Sequence, residues 1–122
     1  MRQKKIFIVD DDLFVAALLQ DLMVRNTTHD ISPFTTGEEC MKELFRQPDV
    51  VVLDYNLNKK YDGASNGMFI LQAIKKQAPK THVIMLSAQE RYGQTIQKEA
   101  AQYVIKDKDA FEKVANMINE MQ

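Results

Sequence analysis

Three short apolar runs in this chain each end in a charged residue. Ile6-Phe7-Ile8-Val9 runs into Asp10-Asp11-Asp12, Val50-Val51-Val52-Leu53 into Asp54, and Tyr103-Val104-Ile105 into Lys106. Carboxylates brought close together resist ionising at once unless a cation compensates. Mg²⁺ takes a few carboxylates together with waters and phosphate oxygens. Asp10, Asp11 and Asp54 suit that demand. A metal among them would also neutralise charge on an incoming phosphoryl group, which makes Asp54 a nucleophile for phosphoryl transfer. Lys106 offers a fixed positive charge, and Ser87, closing the run His82–Leu86, offers a hydroxyl.

These residues can meet only if a fold carries them to one place. Continuous apolar runs rich in Val and Ile read as strands buried on both faces of a parallel sheet. In such sheets ligands bind beyond the carboxyl ends of the strands, so all three runs deliver their charge to one edge. Helix signals fill the intervals. Val15, Leu18, Leu19, Leu22 and Met23 follow one helix face, with Asp12 placed to cap it. Thr36-Gly37-Glu38-Glu39 reads as a capping box for a second helix running to Gln47-Pro48, with Cys40 as buried filler beside Met41, Leu44 and Phe45. A polar loop at 58–66 precedes a helix over 67–77, which Ala78-Pro79 breaks. Arg91 to Glu99 reads as a short helix, and Phe111, Val114, Ala115 and Ile118 give the last helix its apolar stripe. The weak second strand, 29–34, contains Pro33, which belongs at a sheet edge. The expectation is an α/β chain: a single domain over 1–122, (βα)₅, a doubly wound five-stranded parallel sheet.

Bulk properties narrow the function classes. With 122 residues there is room for one core, and a net charge of −1 gives no electrostatic reason to expect nucleic-acid binding. Arg2, Lys4 and Lys5 read as solvated charges before the first strand. The longest apolar run, Leu13 to Leu19, is far short of the ~18 residues that span a bilayer. One cysteine allows no internal disulfide, which fits a reducing, cytoplasmic setting. His29 and His82 fall at strand starts, away from the acids, and read as structural.

The runs IFIVDDD, VVVLDYN, VIMLSA and YVIK, in this order across the whole chain, resemble the receiver domain of bacterial two-component response regulators, the chemotaxis regulators among them. The resemblance implies strand order 2-1-3-4-5. It implies phosphorylation of Asp54 by a histidine kinase or phosphotransfer protein, with Mg²⁺ held by Asp10, Asp11, Asp54 and the backbone carbonyl of Asn56. Ser87 becomes the hydroxyl that contacts the phosphoryl group, Lys106 the lysine that neutralises it, and Tyr103 the aromatic switch. The face of the fourth helix, fifth strand and fifth helix then changes its affinity for an output partner that the sequence does not identify. Such a chain works as a monomer or a phosphorylation-dependent dimer. It catalyses at most its own phosphorylation and dephosphorylation, and carries no output domain.

Four positions depart from the family pattern. Ser87 stands where Thr is commoner, Asp107 where Pro is usual, and Glu99 where Gly is usual. The loop after Asp54 lacks a Met-Pro pair and reads as holding a five-residue insertion within 58–66. With Asp107 in place of proline, the Lys106-Asp107 peptide is expected to be trans, with Asp107 capping the last helix. Rival readings fare worse. Asp54-x-Asn56-x-Asn58 begins like an EF-hand loop, but Lys59 and Ser65 replace the required Gly and Glu. A haloacid dehalogenase-type phosphatase would use Asp10 and Asp12, but Phe14 sits where Thr or Val is expected. A flavin carrier would place its phosphate among three aspartates. A receiver-like interaction module that is never phosphorylated would have no use for the acid pair, Asp54 and Lys106 together.

Overall fold

The computed structural model describes residues 3–24, 29–57, 66–88, 93–98 and 101–121. The expected insertion in 58–65, and Arg2, Arg91 and Glu99, lie outside the described residues. Five strands form one parallel sheet: β1 Lys5–Val9, β2 Asp30–Phe34, β3 Val50–Asp54, β4 His82–Ser87 and β5 Gln102–Ile105, in the order β2-β1-β3-β4-β5. The helices are α1 Leu13–Val24, α2 Gly37–Lys42 with a 3₁₀ turn over Leu44–Arg46, α3 Gly67–Gln77, α4 Gly93–Lys98 and α5 Ala110–Glu120.

Alternation along the central strands builds two core layers. Ile6, Ile8, Val50, Val52, Ile84 and Leu86 face α1 and α5; Phe7, Val9, Val51, Leu53, Val83 and Met85 face α2, α3 and α4. Every residue of β3 is buried, as the centre of a doubly covered sheet requires. Pro33 lies on the β2 edge strand, exposed, where its missing N–H costs no ladder bond.

Helix starts follow local hydrogen-bonding chemistry. Asp12 Oδ1 accepts from the Phe14 N–H (3.0 Å), Thr36 Oγ1 from Glu39 (3.2 Å) and Asn66 Oδ1 from Phe69 (2.9 Å). The Lys106-Asp107 peptide is trans.

Four expectations are corrected. The buried stripe of α1 is Val15, Ala16 and Leu19 with Leu22 beside them. Leu18 stays exposed because the helix is turned to bring small Ala16 into the core. Phe45 is exposed because the chain leaves the α-helix at Glu43 and tightens to a 3₁₀ turn, which carries Phe45 off the Cys40 face. The N-cap of α5 is Asp109; Asp107 instead closes a turn one step earlier, its Oδ1 accepting from the Asp109 N–H at 2.9 Å. Lys4 is buried, not solvated, because its main chain already pairs with the β2 side of the sheet through Asp30 and His29. Lys5 is half-buried, its Nζ donating to the Arg46 carbonyl.

Candidate functional site

Strand register brings the site together. Val9 pairs with Leu53, so Asp10 and Asp54 arrive side by side. Asp54 pairs with Leu86, which places Ser87 one residue further along β4. Ser87 pairs with Ile105, and the next residue of that strand is Lys106, whose N–H donates to the Ser87 carbonyl at 2.8 Å. Parallel strands covered on both faces leave few alternative alignments, so the order of apolar runs in the chain becomes the order of charges along the edge.

Lys106 crosses that edge. Its Nζ lies 3.1 Å from Asp10 Oδ2 and 3.4 Å from Asp54 Oδ2. Asp10 Oδ1 accepts from the Asp12 N–H (2.9 Å) and Asp54 Oδ1 from the Asn56 N–H (3.3 Å). Both carboxylates are buried. Burial, and after it the charge of Asp54, raise the Asp10 carboxyl to about 6, against the pull of the Asp12 N–H and Lys106. Burial alone would lower the Lys106 ammonium, but Asp54 and Asp10 outweigh it and the net shift is upward.

Asp10, Asp11 and Asp54 each offer a carboxylate oxygen, all within 4.8 Å of one another. Among the described residues three carboxylates face one ammonium, an excess of two negative charges. Hard oxygen donors and that uncompensated charge fit a divalent cation such as Mg²⁺. Ser87 is buried and Asn56 half-buried beside Asp54. Tyr103 lies two strands from Asp54, half-buried, with its ring packed over Gly93 at the start of α4.

Two glycines complete the arrangement: Gly67, whose late spacing after Asp54 marks the insertion read in 58–66, and Gly93, which the sequence did not single out. Gly67, the first residue of α3, rests on the chain just after the aspartate: its N–H donates to the Tyr55 carbonyl at 2.8 Å, and a Cβ there would collide with the Asp54 carbonyl oxygen. Its signal in the sequence is its place in the family pattern after Asp54, five residues late; the Asn66-Gly67 pair by itself reads equally well as an ordinary helix start. Gly93 gives the Tyr103 ring its space, and nothing local in the sequence links two residues ten apart across an element boundary.

The family model for the response regulator receiver domain matches residues 6–119. The alkaline phosphatase synthesis transcriptional regulatory protein PhoP of Bacillus subtilis is 31% identical over 88 residues, which cover 71% of this chain and 34% of that protein. The chain therefore spans about a third of the length of this curated relative. Among solved structures, the response regulator DrrB of Thermotoga maritima is 26% identical with a TM-score of 0.80, the match covering 97% of this chain and 52% of that one. TrrA of the same organism, solved in complex with Mg²⁺-BeF, is 26% identical with a TM-score of 0.78 over 97% and 98% of the two chains. The phosphorylated cyanobacterial phytochrome response regulator RcpA is 25% identical with a TM-score of 0.79 over 98% and 93%.

Proposed function

The chain belongs to the response regulator receiver domain family, and from that premise we propose that Asp54 accepts a phosphoryl group from the phosphohistidine of a histidine kinase or phosphotransfer protein. The observation that carries this reading is the Lys106 ammonium held between two buried carboxylates, beside a third, at the carboxyl edge of the sheet. An Asp54 carboxylate oxygen attacks phosphorus, the phosphorus–nitrogen bond of the donor breaks, and the imidazole leaves with its electron pair. Asp10, Asp11, Asp54 and the Asn56 carbonyl would hold Mg²⁺, which when bound neutralises charge on the transferring group.

The protein's own residues supply the rest. The hydrogen bond from the Asn56 N–H fixes one Asp54 oxygen, and Lys106 fixes the other. Burial excludes water from the acyl phosphate once formed. Charge added at Asp54 draws on the Lys106 ammonium and the Ser87 hydroxyl, both at the ends of neighbouring strands. Tyr103, on β5 against α4, couples that movement to the surface made by α4, β5 and α5, where an output partner docks. This is a shift between states the domain already samples. The TrrA and RcpA structures, with Mg²⁺-BeF and in phosphorylated form, support the reading by similarity. No helix among the described residues is long and apolar enough to cross a membrane, which agrees with a cytoplasmic switch.

Incubation with acetyl phosphate and Mg²⁺ should add one phosphoryl group by intact mass, mapped to Asp54. Asp54→Asn should keep the circular dichroism spectrum and take up none. Uptake by the variant at the parent rate would reject Asp54 as the acceptor.

A further inference from the structure

At the amino edge of the sheet one side chain ties down the end of α5. His29, just before β2, is buried. Its Nδ1 accepts the main-chain N–H of Lys4 at 3.0 Å, and its Nε2 lies 3.0 Å from Oδ1 of Asn119, in the last turn of α5. The first bond fixes the second. A ring nitrogen that accepts an N–H carries no proton of its own, so the imidazole is neutral, with its proton on Nε2 and donated to Asn119. Residues 25 and 90 positions away in the chain thus meet on one ring.

This arrangement holds for one charge state only. An imidazolium has a donor at each nitrogen and no acceptor. A proton on Nδ1 would face the Lys4 N–H, donor against donor. The Lys4 main chain cannot turn away, because the Asp30 N–H holds its carbonyl (2.9 Å) and Asp49 Oδ2 holds the next N–H (2.8 Å). The ring must leave instead. The charged groups of the elements that meet here are Lys4 on β1, Asp30 on β2, Asp21 on α1 and Glu120 on α5. The three carboxylates are exposed, and both ring nitrogens are already taken by Lys4 and Asn119, so none of the three compensates an imidazolium in the closed joint. The Lys4 ammonium, buried without a hydrogen-bond partner among the described residues, supplies no anion either. From the use of both ring nitrogens and the tethered Lys4 main chain, we propose that His29 is a proton-operated latch on the last turn of α5, closed by the neutral ring and opened by acid. Opening frees one end of a helix that belongs to the surface proposed above for the output partner. The latch lies at the opposite edge of the sheet from Asp54 and works without phosphorylation.

The test is nuclear magnetic resonance of the unphosphorylated protein. At about pH 7.5 the ring nitrogen shifts of His29 should be those of the Nε2–H form. Between about pH 7.5 and about pH 5.5, amide protection factors at Lys4 and at Ile118, Asn119 and Glu120 should fall on the order of tenfold. Those of Val51 and Leu53 on β3 should not fall with them. Asp10, raised to about 6, adds stability as pH falls over the same range, so its titration has the opposite sign and cannot imitate the latch. His29→Gln, which takes no proton, should remove the pH dependence at both places. If that variant fails to fold, Asn119→Ala breaks the α5 side alone: the last turn should then be equally protected at the two pH values, while the Lys4 amide keeps its step. The proposal is overturned by a ring protonated on Nδ1 at neutral pH, by last-turn protection that does not change with pH in the parent, or by an equal fall at the last turn in either variant.

Discussion

The two edges of the sheet treat buried charge differently. At the carboxyl edge, Asp10 and Asp54 are buried and share one ammonium at 3.1 and 3.4 Å, with further acceptor bonds from two main-chain N–H groups. At the amino edge, Lys4 is equally buried and its ammonium pairs with nothing described. The first edge has its charges fixed in place but keeps an excess of negative charge. The second buries one ammonium, that of Lys4, with no hydrogen-bond partner among the described residues. Only the first, where the carboxylate oxygens converge, offers a place for a counter-ion.

Removing a lysine at each edge should break the symmetry of that comparison. Lys106→Met strips the shared partner from two buried carboxylates, and should cost about 3 kcal/mol at neutral pH in the metal-free protein. The figure sits at the low end for a buried pair because the Lys106 side chain is 26% exposed. Lys4→Met removes a charge that has no described partner, and should raise stability by about 1 kcal/mol. Urea unfolding of both variants decides the matter. Two losses of similar size would mean that Lys4 has a partner in solution after all.

Much of the carboxyl edge was legible in the sequence. Apolar runs long enough to be buried strands, each ending in charge, fix both the element and the placement of Asp10, Asp54 and Lys106, because strand periodicity and parallel register leave little freedom. The amino edge was not legible. Lys4 before the first strand looks like any terminal charge, and its burial follows from a segment 25 residues away, through His29, that no local pattern reveals. Phe45 and Leu18 failed for a related reason. Periodicity assigns a helix face, but where the helix stops and how far it rolls on the sheet are set by its neighbours.

The next test asks how rigid the carboxyl edge is. In Gly67→Ala the new methyl meets main chain, running into the Asp54 carbonyl oxygen and lying 2.7 Å from the Tyr55 Cα. Main chain cannot rotate aside, so the loss should be near the upper end of the ~1–3 kcal/mol typical of overpacking. Phosphoryl uptake should slow as well, because the methyl pushes on the backbone of Asp54, the proposed acceptor. A stable variant with parent uptake would show that the edge yields.

Acid titration measures the charge excess directly. The Asp10 carboxyl is raised from 3.8 to about 6, first by burial and then by Asp54. A raised carboxyl binds its proton more tightly in the native state. Its contribution to stability is therefore fully present below the unfolded value and lost as pH rises through about 6. The loss is on the order of a few kcal/mol by linkage. In metal-free protein, Asp10→Asn should match the parent near pH 4 and gain on it up to about pH 6, the gain levelling off above. A stability difference that does not change with pH would place the negative excess elsewhere.

The smallest effect separates the two ends of the carboxyl edge itself. Gly93, like Gly67, begins a helix, but its Cβ would meet a side chain: Tyr103 Cε1 at 3.1 Å and Cδ1 at 3.2 Å. That ring sits on an edge strand and is only half-buried, so it can give by a few tenths of an ångström. Alanine also recovers part of the ~1 kcal/mol that glycine costs a helix. Gly93→Ala should accordingly change stability by less than about 1 kcal/mol. It should leave phosphoryl uptake at Asp54 intact while shifting the aromatic resonances of Tyr103. On the proposed function uptake depends on the β1–β3 end, where Gly67 meets main chain; the ring belongs to the β4–β5 end, where Gly93 meets a side chain. If Gly93→Ala cost as much as Gly67→Ala, the Tyr103 ring would be locked in place, and it could not serve as the moving part between Asp54 and the α4–β5–α5 surface.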